Sequence, residues 1–114
     1  MGFKIVLEET KTLVAGTVTQ PATQAVDLGQ YREVAVVYDI TVAAGEVVLK
    51  LQTAIEPFDQ AFVDVTGSTS TYASTEGGRR MLYVTEFARY LRWQKTGTGS
   101  TTLNRVELYA KEPA

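Results

Sequence analysis

Neither cysteine nor histidine occurs among the 114 residues of the chain. The missing cysteine removes disulfide cross-links, and with them any thiolate nucleophile or thiolate metal ligand, so a packed core has to supply the stability. The missing histidine removes the commonest general base and the commonest metal ligand together. Long hydrophobic runs are absent as well. The apolar stretches span a few residues each, against about 20 needed to cross a bilayer, and Lys4, Glu8 and Glu9 interrupt the apolar start that a secretion signal would need. No membrane partner is expected, and synthesis in a cytoplasm is.

Strong charge is lacking too. The formal net charge is −2, from 11 basic and 13 acidic residues. Residues 79–105 carry a local excess of base, Arg79, Arg80, Arg89, Arg92, Lys95 and Arg105 against the single acid Glu86. A nucleic-acid surface would use such arginines on phosphates. The slightly acidic chain favours a solvated strand face with cross-strand ion pairs, such as Glu107 beside Arg92, and no nucleic-acid partner is expected.

What remains is the composition of one globular domain. Apolar residues make up 45% and charged residues 21%, far from the signature of disorder, and the length suits a single core. The expected domain is 1–114.

Alternation with a period of two dominates the chain, and no pattern of period 3.6 runs long enough for a substantial helix. The pattern predicts strands at Phe3–Glu8, Lys11–Thr19, Ala25–Leu28, Glu33–Val42, Glu46–Ile55, Phe62–Val65, Arg80–Thr85, Tyr90–Thr96 and Leu103–Lys111. Val34, Val36, Tyr38, Ile40 and Val42 share one parity and should face a core. So should Val47, Leu49, Leu51, Thr53 and Ile55, then Leu82 and Val84, Leu91 and Trp93, and Val106, Leu108 and Ala110. Arg92, Gln94, Arg105 and Glu107 should point outward. Ala43-Ala44-Gly45 reads as a short hairpin link. So many short strands are best accommodated by two packed sheets, and the expected fold is all-β, an antiparallel β-sandwich with jelly-roll topology.

Catalytic patterns are not found. Asp27, Asp39, Asp59 and Asp64 lack calcium-loop spacing, and no glycine-rich stretch follows a strand and opens a helix. Glu8, Glu9 and Glu86 are the nearest candidates for paired carboxylates, but no motif supports them. The expectation is a non-enzymatic protein without cofactor or metal.

Binding groups are therefore sought on the loops. Phe58, Asp59 and Gln60 follow Pro57, an aromatic beside two polar groups. Tyr72 sits in the Ser, Thr and Gly stretch 67–78, which should be exposed and mobile, and Tyr31 precedes the strongest strand. These five residues are the candidate contacts for a partner or a sugar. For Phe58 and Tyr72 the alternative is a ring folded back on the sandwich rim. The uncharged segment Thr17–Gln24 reads either as an arm reaching a neighbouring subunit or as a plain surface loop.

Ala88-Arg89-Tyr90-Leu91-Arg92-Trp93, a glycine-containing turn, and Asn104-Arg105-Val106-Glu107-Leu108-Tyr109 resemble the closing strand pair of discoidin-type, galactose-binding-like sandwiches. The likeness covers about the last quarter of the chain directly and Val47–Ile55 more loosely. It implies that fold, with binding through loops at one end, and it carries no ligand residue over by position. Small cysteine-free sandwiches of this kind also resemble virion components of tailed bacteriophages, among them capsid decoration and tail accessory proteins. That resemblance implies a virion protein that binds capsid or other virion proteins and forms a homo-oligomer, a closed trimer by symmetry. The alternative is a carbohydrate-binding module or tail accessory protein that binds glycans.

Overall fold

The computed structural model describes residues 3–29 and 31–111. Ten strands, β1 (Phe3–Leu13), β2 (Val18–Thr19), β3 (Val26–Asp27), β4 (Glu33–Ala44), β5 (Val47–Ala54), β6 (Val63–Asp64), β7 (Ser70–Tyr72), β8 (Gly77–Val84), β9 (Tyr90–Thr96) and β10 (Ser100–Lys111), are joined by turns and two single 3-10 turns, Ala22–Gln24 and Asp59–Ala61. A four-stranded sheet has the order β1-β10-β4-β8. The second sheet has β2-β9-β5-β6, with β3 also on β9 and β7 also on β5. With β2 and β3 taken as one interrupted strand, and β6 and β7 as another, this is the expected jelly roll. Every pairing is antiparallel.

The alternation explains the core. Val34, Val36, Tyr38, Ile40 and Val42 of β4 face Val47, Leu49 and Leu51 of β5 and Leu91 and Trp93 of β9, all buried with Leu103, Val106 and Leu108. Tyr38 sits among these apolar side chains because its hydroxyl donates to the Ser68 carbonyl at 2.8 Å, which satisfies a polar group that burial would otherwise penalise.

Local departures from the expected strands have physical causes. Phe3–Glu8 and the start of the next predicted strand form one strand, bulged between Val6 and Glu8. β5 stops at Ala54, leaving Ile55 exposed rather than inward. The stretch 67–78 is not a free loop. It contains β7, paired to Val47, Val48 and Leu49.

The outer face of the six-stranded sheet carries a small second layer. Ala22, Ala54 and Phe62 bury one another there, with Ala25 and Tyr90 beside them. The segment Thr17–Gln24, read from the sequence as either an arm or a surface loop, supplies part of this cap. Gln20 is buried and donates through Nε2 to the Leu7 carbonyl, so the segment packs on its own domain. Beneath the cap lies Arg92, outward by parity as expected but buried. Lys95 is inward and fully buried, its Nζ donating to the carbonyls of Val14 and Gly16 at 2.7 and 3.0 Å. Burial lowers its pKa. The basic stretch 79–105 is thus only partly a solvated face.

Candidate functional site

A trough runs along β4 on the outer face of the four-stranded sheet. Ala35 of β4 is opposite Tyr83 of β8 on one side and Tyr109 of β10 on the other. Directly paired residues in a sheet share a face, so a methyl group lies between two phenol rings whose strands are about 10 Å apart, two strand spacings. The next row repeats the arrangement, with Val37 between Met81 and Glu107. Ala35 and Val37 form the floor, Tyr83 and Met81 one wall, and Tyr109 the other. Glu33, Lys111 and Arg79 stand at the rim of a groove of about 720 Å³.

The face is unusually apolar for one turned to water. Met81 is 54% exposed and Tyr83 68% exposed, and Val6 and Tyr109 are exposed beside them. Such contiguous apolar surface with a charged border marks an interaction site more often than isolated exposed residues do.

Polar groups hold one wall in place. The Tyr109 hydroxyl donates to Glu107 Oε2 at 2.6 Å, and Arg105 Nη1 lies 3.1 Å from Glu107 Oε1. The Tyr109 hydrogen bond, with help from Arg105, holds the Glu107 carboxyl below the usual carboxylate range despite the opposing effect of burial. The same hydrogen bond raises the Tyr109 phenol. Glu107 does not meet Arg92, as the sequence had suggested, because the two lie on different sheets.

The predicted contact residues separate. Tyr72 is fully buried, with the Arg80 guanidinium 3.8 Å above its ring, so it cannot touch a partner. Burial raises its pKa. Asp59 is occupied structurally, accepting from Arg92 Nη1 at 2.7 Å and from the Ala22 amide at 3.2 Å. Phe58 and Gln60 beside it are exposed on the same turn. Tyr31 is half-buried and lines a separate cavity of about 460 Å³ with Arg32, Ile55, Phe87 and Arg89 at the end of the sandwich. Tyr31 thus lines a cavity of its own and the Phe58 turn adjoins the cap on the six-stranded sheet, and neither is among the residues lining the trough.

The trough residues were not singled out from the sequence, although a signal existed. Arg79, Met81 and Tyr83 share the parity opposite to inward Leu82 and Val84. An outward set containing Met and Tyr is the mark of a sheet face that is not simply solvated. Glu8 accepts from Trp93 Nε1 at 3.2 Å, and Glu9 pairs with Arg105 at 3.4 Å. Among the described residues no cluster of three or more acidic groups suits a metal ion.

No protein-family profile matches this chain, and no curated protein does. Solved structures do match. One is the SPBc2 prophage-derived protein YomS, at 11% identity and a TM-score of 0.56, covering 97% of this chain and 94% of that one. Another is a carbohydrate-binding module from Cellvibrio mixtus lichenase 5A, solved with cellotriose, at 15% identity and a TM-score of 0.58 over 91% of this chain and 87% of that one. A third is a carbohydrate-binding module of the Cel9A glycoside hydrolase from Ruminococcus flavefaciens, at 10% identity and a TM-score of 0.51 over 97% and 98%. The chain therefore has the galactose-binding-like β-sandwich fold that such modules share.

Proposed function

We propose that this chain is a non-enzymatic virion protein of a bacteriophage, such as a capsid decoration protein, which docks on another particle protein through the trough face of its four-stranded sheet. The observation that carries the reading is the set Tyr83, Tyr109, Met81 and Arg79, converging on a floor of Ala35 and Val37. Tyrosine, methionine and arginine are the residue types enriched at the centres of protein interfaces, with charge at the rim. The likeness to a prophage-derived protein over nearly the whole of both chains supports the particle setting. On this reading the protein is made in the host cytoplasm and resides in the virion.

Cosedimentation with purified phage particles and empty capsids tests the proposal. The native chain is expected in the pellet with one of them, and Tyr83→Lys in the supernatant. A native chain that stays soluble beside every particle overturns it.

A second reading is favoured by the spacing of the two tyrosines. Two rings flanking a small floor can stack on the faces of a sugar chain, with Glu33 and Arg79 as hydrogen-bonding groups, and two of the similar structures are carbohydrate-binding modules. Saturable micromolar binding on a glycan array, lost in Tyr83→Ala, would place this reading first.

A further inference from the structure

The free edge of β8 is an unprotected strand. Among the described residues its sole strand partner is β4, in a register that runs from Val34↔Val84 to Thr41↔Gly77 without a shift. The other edges of the sandwich are blunted. β1 is bulged and carries Lys4, Glu8, Glu9 and Lys11, while β2, β3, β6 and β7 are two or three residues long. Bulges, charges and short length are the usual protections of sheet edges. β8 has eight residues and no bulge, and Met81 and Tyr83 are exposed along it. Its Arg80 is turned away from the edge, donating to Ser70 Oγ and the Thr71 carbonyl and lying over Tyr72.

We propose that β8 pairs antiparallel with the β8 of a second copy about a two-fold axis at Met81, joining two four-stranded sheets into one of eight strands. The side-chain chemistry selects this partner and this register. With Met81 opposite Met81, each Arg79 lies opposite Tyr83 of the other copy on the outer face, a cation over an aromatic ring at both ends of the contact. Each Arg80 lies opposite Leu82. Centring the axis on Arg79 or Arg80 would instead oppose like charges. Centring it on Leu82 or Tyr83 would run past the end of the strand at Val84 and leave Arg79 without the ring.

The pairing is isologous and closes on itself, so it gives a dimer and not a filament. Its axis is perpendicular to the sheet, so both troughs face the same way. The dimer presents two equivalent contact surfaces side by side, which raises avidity for any repetitive target.

The absence of cysteine makes the test direct. Directly opposed Cβ atoms in an antiparallel pair lie about 4.5–5.5 Å apart, close to the span of a disulfide, about 3.5–4.5 Å. Met81→Cys should therefore oxidise with glutathione disulfide to a covalent dimer that reductant reverses. Lys11→Cys on the opposite edge, where no second copy is paired, should form no covalent dimer under the same conditions. In sedimentation equilibrium without any particle or glycan, the native chain should dimerise, and Met81→Lys should weaken association at least about tenfold, with a melting temperature equal to the native one at dilutions where both are monomeric. A native chain that is monomeric at its highest soluble concentration overturns the proposal, as does equal oxidation of the two cysteine variants. Neither result depends on what the trough binds.

Discussion

Arg92 Nη1 donates to Asp59 Oδ1 across 2.7 Å, although the arginine side chain is buried and the aspartate side chain is 75% exposed. The two ends of this pair should respond differently to removal. Asp59→Ala leaves a guanidinium under the cap with Gln52 Oε1 and the Gln20 and Asp59 carbonyls as remaining acceptors, and should cost about 1–2 kcal/mol. Arg92→Ala returns Asp59 to water, but it strips Gln52 of its donor and vacates the space 4.1 Å from the Phe62 ring centre. It should cost about 2–3 kcal/mol. Urea melts of both variants and the double variant measure the coupling, and simple additivity would show that the pair is not one unit.

Arg92 also shows where sequence reading stops. The parity of Tyr90–Thr96 placed it on the outer face correctly, because alternation is local. Its burial depends on Gln20, Asp59 and Phe62, which come from distant segments, and no local pattern encodes that meeting. Lys95 is a similar case. It shares Trp93's inward parity, and a lysine there reads as a solvated charge until the Val14–Gly16 turn supplies carbonyls to bind it. Tyr72 was misplaced because Ser, Thr and Gly around it resemble a loop, while Ser68 is in fact buried and hydrogen-bonded to β5. The jelly roll itself was legible, since nine alternating segments without a helix leave few packed arrangements.

Trp93→Ala should remove the largest side chain of the core, 1% exposed against Tyr38, Leu49 and their neighbours. A loss of about 3–5 kcal/mol is expected, clearly more than at Arg92. Because Trp93 is the single tryptophan, its fluorescence reports the same site. Emission of the folded protein should be blue-shifted and move to the red in one cooperative transition.

Acid should destabilise the protein through its paired carboxylates. Glu107 is held low by Tyr109 and Arg105, Asp27 by Arg89 and the Gly29 amide, and Asp64 by Lys50 and Gln52. A depressed folded-state pKa stabilises above the ordinary carboxylate value, about 4, and the benefit is lost as pH falls through the folded value. Stability should therefore decline from about pH 5 downward. Tyr109→Phe removes the leading donor to Glu107, so the Glu107 carboxyl should titrate at higher pH by carbon-detected NMR. An unmoved titration would refute the role given to the hydroxyl.

Glycine is required at position 97 for two reasons at once. Gly97 has φ +113°, and a Cβ there would lie 2.3 Å from the Glu46 carbonyl oxygen. Gly16 also has positive φ, +97°, but a Cβ would meet nothing within 4 Å. Gly16→Ala should then cost backbone strain alone, about 1 kcal/mol, and Gly97→Ala clearly more, because the Glu46–Val47 backbone must move away from the turn at Gly97. Thermal melts that rank the two equally would show that this close approach is not tight.

Tyr83 and Tyr109 wall the same trough but should behave differently when truncated. Tyr83 is 68% exposed, and its removal leaves no buried group stranded, so Tyr83→Ala should change stability by no more than about 0.5 kcal/mol. Tyr109→Ala withdraws the hydroxyl from the buried Glu107 carboxylate and should cost about 1–2 kcal/mol. A contact surface makes the opposite demand, because both rings touch the occupant and both variants should lose binding. Loss of particle or glycan binding in Tyr83→Ala at unchanged melting temperature therefore separates a trough built for contact from one whose tyrosines serve the fold. Full binding by Tyr83→Ala would remove the trough as the contact site, and the Phe58 turn or the Tyr31 cavity would take its place.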